Sequence, residues 1–516
     1  MGITLSLRII PDRINADEWT RFYEDSLRFL RAYPGGIADF REVMVGRFTR
    51  RQYSRDIEMH VDDPVRRCWR VEGTLEDLKF GETFELRADL GTYAYGEGAG
   101  EISILDEFPE GWAPGVAVVF DAKTQGRAYH HALLAVGILA EWRFPGNALV
   151  WGDMDTAQAR FAVEKLEEIL GETGPLPLLA DANRLYAEIC RTHEGVAAVE
   201  RFWDIYCGRQ GEEMIDLARI VDRKLLATWQ KQTLKECTPK TLGVVYQCIN
   251  WLNATADVAA LARMACLDAD GPCFDIMDFV DSLARTGVAL EPGIEEQMGI
   301  LRLPSGTAHT VMTQFGFAYL EMSGLVAHRT RCFLGEAAVL EALDQVFPGR
   351  REELAPILRE KTADVEKSVA ALADAFTTKQ EQLEEDPETG DLESFLYFSP
   401  DTPLSPTQNL ALDGLAGVAP KMIADLESTL AGAKKPAGAT LPALLLAACD
   451  QQRIVLPEDA WTAIDAEQDE WHLHLLLCLV GMKDLLPQEL ANLRTALLIH
   501  RDLRVLLQEK CAAAGV

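Results

Sequence analysis

The order of apolar and polar positions between residues 115 and 170 predicts a strand, a helix, a second strand and a second helix. Two short apolar runs bounded by turn residues, 116–120 and 148–151, have the length and content of buried strands. Each is followed by a segment, 128–142 and 156–170, in which apolar residues recur three or four positions apart. This βαβα order makes the two strands parallel and usually adjacent in one sheet. We therefore expect an α/β domain organised around this unit.

The pattern changes outside this unit, and the changes predict the domain organisation. Polar and apolar residues alternate in short pieces between residues 53 and 90, as in antiparallel strands, and helical spacing dominates after residue 180. The stretch 381–393 holds seven acids and no base, and proline-containing turns follow it. The predicted fold class is α+β, with mostly helical domains after the N-terminal one. The predicted parts are an α/β domain with a mixed sheet (1–180), a helical domain (181–377), an acidic and proline-rich flexible linker (378–440) and a small C-terminal helical module (441–516).

Charge and cysteine content narrow the class of protein. The formal net charge of −31 repels phosphate backbones, so nucleic acid is an unfavoured partner. Eleven cysteines stand singly, which favours reduced thiols in a cytoplasmic protein over a disulfide framework. Cys266 and Cys273 are of the right type for zinc, but no second Cys/His pair stands at finger spacing, so neither a metal nor a cofactor is expected. No secretory signal or membrane span is recognised.

One enzymatic alternative depends on three residues. Asp106, followed after fifteen positions by Asp121 and Lys123 at the end of an apolar strand, resembles the PD-(D/E)xK nuclease pattern. In that chemistry two carboxylates hold Mg²⁺ and the lysine activates the attacking water. The motif is short and recurs by chance, so the sequence leans away from an enzyme without excluding a metal-dependent phosphodiesterase.

The carboxyl ends of the two predicted strands offer a second candidate, a ligand or metal site at one sheet edge. Its residues are Asp121, Lys123, Gln125, Asp153, Asp155 and Gln158. The purely structural alternative is that Asp153 or Asp155 caps the following helix and that Lys123 pairs with Asp121.

The most basic stretch of this acidic chain is a cluster of arginines in the β-rich region. Its members are Arg47, Arg50, Arg51, Arg55, Arg66, Arg67 and Arg70. They are interleaved with acids such as Glu58 and Asp62, as on the solvated face of a hairpin. The functional alternative is a docking patch for an acidic protein partner, or for an acidic segment of this same chain.

Part of the chain resembles a bacterial family to which no activity is assigned. The shared features are a KTQGxxYHxxLLA helix start and a GDxxxxQ strand end, within a region of about residues 1–185. They fall here on Lys123–Gly126, Tyr129, His130, Leu133, Leu134, Ala135, Gly152, Asp153 and Gln158.

The domain order is also similar to that of the protein cleaved by the RNA-activated, caspase-like protease of type III-E CRISPR systems. That likeness covers architecture alone and implies a cut between about residues 378 and 440. It also implies protein partners, a protease and a transcription factor, in bacterial antiviral defence. The leading interpretation is therefore a non-catalytic, cytosolic interaction or regulatory protein, with the nuclease as its alternative.

Overall fold

The computed structural model describes residues 3–75, 78, 80–93, 115–208, 211–294, 327–385, 394–432, 440–482 and 488–513. The chain divides into two compact units, each assembled from separate segments. Unit 1 consists of Met1–Phe29, Ala88–Gly126 and His130–Gln380, and unit 2 of Leu30–Arg87, Arg127–Tyr129 and Glu381–Val516. This division does not follow the four predicted ranges, because residues 30–87 associate with the C-terminal part of the chain.

The strands and helices of the described residues alternate only in the N-terminal part. The strands are β1 (Thr4–Ile9), β2 (Ile37–Val45), β3 (Phe48–Ser54), β4 (Glu58–Met59), β5 (Cys68–Thr74), β6 (Phe80–Arg87), β7 (Ala117–Lys123), β8 (Ala148–Gly152) and β9 (Val455–Pro457). The first helices are α1 (Ala16–Ala32), α2 (Tyr129–Arg143), α3 (Thr156–Leu170), α4 (Ala182–Ile189), α5 (Val196–Ile205), α6 (Glu213–Ile220), α7 (Arg223–Lys235), α8 (Leu242–Thr255), α9 (Val258–Cys266) and α10 (Ile276–Ala284). The later helices are α11 (Glu336–Val346), α12 (Arg351–Glu385), α13 (Pro406–Gly432), α14 (Leu441–Gln451), α15 (Glu458–Asp465), α16 (Glu470–Gly481), α17 (Gln488–Ile499) and α18 (Arg501–Ala513). The predicted fold class, an N-terminal region with mixed sheet followed by mostly helical segments, is confirmed.

The sheet of unit 1 has the strand order β7-β1-β8. Strand β1 is antiparallel to both neighbours, with Ser6 opposite Asp121 on one side and Trp151 on the other. Strands β7 and β8 therefore run in the same direction, as predicted, but the expected adjacency is wrong because β1 lies between them. Strand β1 takes the central place because its apolar residues Leu5 and Leu7 are completely buried there.

Helix α2 is covered on every side. Its residues from Tyr129 to Glu141 are all buried, as expected for a helix that is apolar around its whole circumference. Gly137 permits a close approach to the sheet, since a Cβ atom there would lie 2.4 Å from Val150 Cγ2. The first predicted helix of the βαβα unit is therefore an interior element.

The sheet of unit 2 joins residues from opposite ends of the chain. Its order is β4-β5-β2-β3-β9, with β6 paired to β5. Strand β9 is parallel to β3, and Arg51 lies opposite Val455. The helices α13 to α18 bury one continuous core beside this sheet, which includes Leu412, Trp461 and Leu475.

Part of the predicted flexible linker is a helix with a buried face. Helix α13 begins with a capping box, in which Gln408 N donates to Ser405 Oγ (3.1 Å) and Ser405 N donates to Gln408 Oε1 (2.9 Å). Pro406 stands at the first helical position, where a proline costs no hydrogen bond. The Ser-Pro pair that suggested a turn is therefore a helix start. Of the acidic stretch, residues 381–385 end α12, whereas 386–393 lie outside the described residues, as do 433–439.

Candidate functional site

The arginine cluster lies mainly on the hairpin of β2 and β3, and three of its side chains contact the C-terminal helical module. The hairpin turns at Gly46, whose φ of +64° suits glycine. Strand β3 then carries Arg50 and Arg51, and Arg55 follows its end. All three side chains lie near aspartates from residues 450–465, which belong to the same unit.

Arg51 makes the most enclosed of these contacts. Its side chain is 14% exposed; Nη1 lies 2.9 Å from Asp450 Oδ1, and Nε lies 2.9 Å from Glu42 Oε1. Nη1 also donates to the carbonyl of Asp450 at 3.2 Å. A hydrogen bond from the Thr49 amide and then the Arg51 guanidinium hold the pKa of Asp450 below its usual value. The carboxylate therefore stays charged, and paired with Arg51, to a lower pH than a free aspartate.

Arg50 and Trp461 form a cation–π contact between the same hairpin and the module. The Arg50 guanidinium lies 4.8 Å from the centre of the Trp461 ring, and Nη2 lies 2.8 Å from Asp465 Oδ1. Trp461 is 2% exposed, and its Nε1 donates to the backbone carbonyl of Arg51 at 3.0 Å. A cation over an indole face is attractive, so the hairpin and the module share a buried, specifically oriented contact.

The other members of the cluster have different surroundings. Arg67 pairs with Glu58 at 2.6 Å, and Arg70 pairs with Glu72 at 3.4 Å. Arg47 lies over the ring of Phe48 at 4.9 Å, and Arg66 is exposed. The Arg55–Asp459 pair, at 3.8 Å, has two exposed side chains and contributes little.

A buried carboxyl lies beneath this cluster. Asp39 is fully buried, with oxygens 3.7 Å from Arg41 Nε and 3.8 Å from Arg70 Nε. Burial raises its pKa to about 6, against the opposing effect of the two arginines. Its position in the hairpin, on β2 opposite Ser54 of β3, makes the net charge of this region depend on pH.

The residues of the ligand or metal site predicted at the edge of the β7-β1-β8 sheet lie in two separate places. A cavity of about 200 Å³ at the end of β8 is lined by Asp153, Asp155 and Gln158. Asp121 and Lys123 are exposed on β7, on the far side of β1, and do not line this cavity. Gln125 does not line it either. The structure thus brings together the residues after β8 and leaves those of β7 apart.

Both aspartates in the cavity have structural roles. Asp153 Oδ2 accepts hydrogen bonds from Thr4 N at 2.7 Å and Thr4 Oγ1 at 3.0 Å, which fastens the start of β1. Asp155 caps α3, because its Oδ1 accepts from Gln158 N at 2.8 Å while Gln158 Oε1 accepts from Asp155 N at 3.0 Å.

Replacement of the capping residue tests this assignment. Asp155→Ala is expected to lower the free energy of unfolding by about 1–2 kcal/mol, since the first turn of α3 loses its acceptor. Asp155→Asn retains a capping oxygen and should stay close to wild type. Urea-induced unfolding of both variants measures the difference, and equal losses would contradict a capping role.

The opposite wall of the cavity comes from residues after α5 that the sequence did not identify. They are Tyr206, Cys207 and Glu213. Burial raises the pKa of the Cys207 thiol to about 12, against a hydrogen bond from the Gly152 amide. Burial also raises the pKa of Glu213. No motif marks these residues, because they belong to an ordinary helical pattern about fifty positions beyond β8.

The nuclease alternative gains no geometric support from the described residues. Asp106 lies outside them, so its position relative to Asp121 and Lys123 is not part of the described structure. Within the described ranges no group of three or more His, Cys, Asp or Glu side chains is arranged to hold a metal ion.

Two further results concern membrane-spanning helices and similarity to known proteins. Among the helices that the structure describes, none is both long and apolar enough to cross a bilayer. Comparison of the chain with models of protein families, with curated proteins and with solved structures finds no match.

Proposed function

We propose that this chain is a cytosolic, non-catalytic regulatory protein of bacterial type that acts through protein partners. Its regulated part is the C-terminal module, residues 441–516. The observation that carries the proposal is the docking of this module on β3 by strand pairing and ion pairs. A regulatory module of this kind needs a contact that is specific but reversible.

The chemistry of the contact suits reversible release. Two of the three ion pairs described above are short, yet Asp465 is 52% exposed and Asp459 is 80% exposed. Exposed ion pairs are screened by salt and contribute modestly. An acidic partner segment that engages Arg50 and Arg51 would compete directly with the aspartates of the module.

A cut in the predicted linker would act on this contact in two stages. The chain passes from unit 1 to unit 2 at Gln380–Glu381, near the start of the predicted linker. The hairpin that holds the module reaches unit 1 through other segments, around Phe29 and Arg87. Cleavage between about residues 378 and 440 by a protease of a defence system would therefore break the covalent link and leave the module docked. A partner, such as a transcription factor, would then take up one of the two parts.

This proposal is tested with a recognition sequence for a sequence-specific protease placed between Glu385 and Ser394, so that α13 and the module, which share one buried core, leave as a single fragment. After cutting, the module should co-elute with the rest of the chain in gel filtration at low salt. In the variant Arg50→Ala/Arg51→Ala it should separate at a lower urea concentration than in wild type, whereas Arg66→Ala, an exposed arginine of the same cluster, should behave as wild type. Separation of all three proteins immediately after cutting would contradict docking by these residues.

The regulatory role itself needs a comparison of partners. Intact and cut protein, used as baits in extracts of the native cells, should recover different proteins, identified by mass spectrometry. Identical recovery from both forms would overturn regulation by release. Phosphodiester hydrolysis that requires Mn²⁺ and disappears in Asp121→Ala would establish the nuclease alternative instead.

A further inference from the structure

Two cysteines stand at the two ends of one short loop in unit 1. Helix α9 ends at Cys266, and Cys273 lies three residues before α10 begins. The amide of Phe274 donates to the carbonyl of Ala265 at 2.8 Å. This hydrogen bond joins the residues directly outside the two cysteines and closes the loop at its base.

The closed base brings the two cysteines close together. With an N–O distance of 2.8 Å, standard bond lengths limit the separation of the two Cα atoms to about 8 Å. The chain reverses between them, helped by the hydrogen bond from Gly271 N to Asp268 O at 2.8 Å. Disulfides span Cα distances of about 4.4–6.8 Å, which lie within the limit that this hydrogen bond sets.

The two thiols differ in accessibility. Cys273 is exposed and Cys266 is half-buried. Cys273 has a left-handed φ of +53°, and its Sγ lies 3.6 Å from the carbonyl oxygen of Asp268, inside the loop. Burial raises the pKa of Cys266 to about 12, and the nearby charges of Asp275 and Cys273 act in the same direction. Cys273 is therefore the thiol that an oxidant meets first.

We propose that Cys266 and Cys273 form a redox-active dithiol that closes to an intramolecular disulfide. With glutathione disulfide as the oxidant, the Cys273 thiolate attacks one of its sulfurs, forms a mixed disulfide and expels one glutathione thiolate. The Cys266 thiolate then attacks Cys273 Sγ, the protein disulfide forms and the second glutathione thiolate leaves. Each cysteine loses one proton to solvent, and one glutathione disulfide is reduced to two glutathione molecules.

The disulfide would fix a loop that other residues already hold in place. Lys231 on α7 pairs with Asp270 at 2.6 Å and with Asp268 at 3.5 Å, both inside the loop. Formation of the disulfide would therefore make the contact between this loop and α7 depend on the redox state of the solvent.

The experiment uses the position of tryptic cleavage sites. Trypsin releases one peptide, Met264–Arg285, that contains both cysteines and no other, with no internal Lys or Arg. The full-length protein is equilibrated with increasing ratios of oxidised to reduced glutathione, blocked with iodoacetamide in urea, which exposes every remaining thiol, and digested. We expect this peptide to lose two hydrogen atoms and to take up no iodoacetamide at oxidising ratios. Further cleavage before Asp268 or Asp270 should leave its two parts linked.

Two comparisons decide the result. In Cys273→Ser, Cys266 should remain open to alkylation at every ratio, whereas Cys190, an exposed cysteine elsewhere in unit 1, should carry glutathione at oxidising ratios. The proposal is overturned when wild type, under conditions that modify Cys190, carries glutathione on Cys273 and free thiol on Cys266. Alkylation of both Cys266 and Cys273 under those conditions overturns it as well.

Discussion

Replacement of Trp461 by alanine is expected to destabilise unit 2 by about 3–5 kcal/mol, the usual cost of removing a large buried aromatic side chain. The ring is 2% exposed in the core shared by helices α13 to α18. Its removal also takes away the surface beneath the Arg50 guanidinium, 4.8 Å from the ring centre, and the hydrogen bond to the carbonyl of Arg51. The space left by the ring and the lost hydrogen bond weaken the same contact between β3 and the module. The hairpin should therefore detach from the module before unit 1 unfolds.

The measurement is hydrogen exchange of peptides that cover β3, at increasing urea concentration, in the full-length protein. Trp461→Phe is the matched control, because it keeps most of the apolar volume and loses the Nε1 donor, at a cost of about 1 kcal/mol. Peptides from α2, in the other unit, report whether the effect is local. Protection of β3 in the alanine variant equal to that in wild type would show that the Trp461 side chain does not anchor the hairpin.

The second large effect is a pH dependence of the free energy of unfolding that originates from Glu141. This carboxyl on α2 accepts hydrogen bonds from Val150 N at 3.0 Å and from Leu178 N at 2.8 Å. Burial outweighs these bonds and raises its pKa from 4.5 to about 7. A folded-state pKa above the unfolded one means that the folded chain binds the proton more tightly. The contribution of this group to stability is therefore complete below pH 4.5 and is lost as the pH rises to about 7.

This shift of the Glu141 pKa sets the size of the loss in the free energy of unfolding. One pKa unit corresponds to about 1.4 kcal/mol, so the loss amounts to about 3 kcal/mol. Glu141→Gln is neutral throughout, so its free energy of unfolding relative to wild type should rise by about 3 kcal/mol between pH 4.5 and pH 7.5. Urea-induced unfolding at the two pH values measures it, with Glu200→Gln, an exposed glutamate on α5, as control. A difference between Glu141→Gln and wild type that does not change with pH would contradict the assignment.

Local periodicity predicts the elements of unit 1 better than their arrangement. The strands at 116–120 and 148–151 and the helices after them are found within a few residues of the predicted bounds. The insertion of β1 between β7 and β8 depends on pairing between residues more than a hundred positions apart, such as Ser6 and Asp121. Such pairing leaves no periodic signal in either segment.

In the candidate site, too, the sequence does not predict contacts between distant residues. The arginines of β3 are conspicuous in an acidic chain, and the sequence analysis isolates them. Their partners Asp450, Asp459 and Asp465 lie on or beside helices, where acidic residues are common, so nothing in the sequence distinguishes them. In contrast, the start of α13 could have been predicted, since Ser405, Pro406 and Gln408 follow the rules for helix caps.

The parallel pairing of β3 with β9 has a consequence for synthesis of the chain. Arg51 and Asp450 are 399 positions apart, and a ribosome that adds about 5–20 residues per second needs roughly 20–80 s to cover that distance. During this interval the edge of β3 has not yet met its partner strand, and such edges promote association between nascent chains. Arg50 and Arg51 place positive charge on this edge, which opposes pairing with another copy of the same edge. The residues that later bind the aspartates of the module thus protect the hairpin while the ribosome completes the chain.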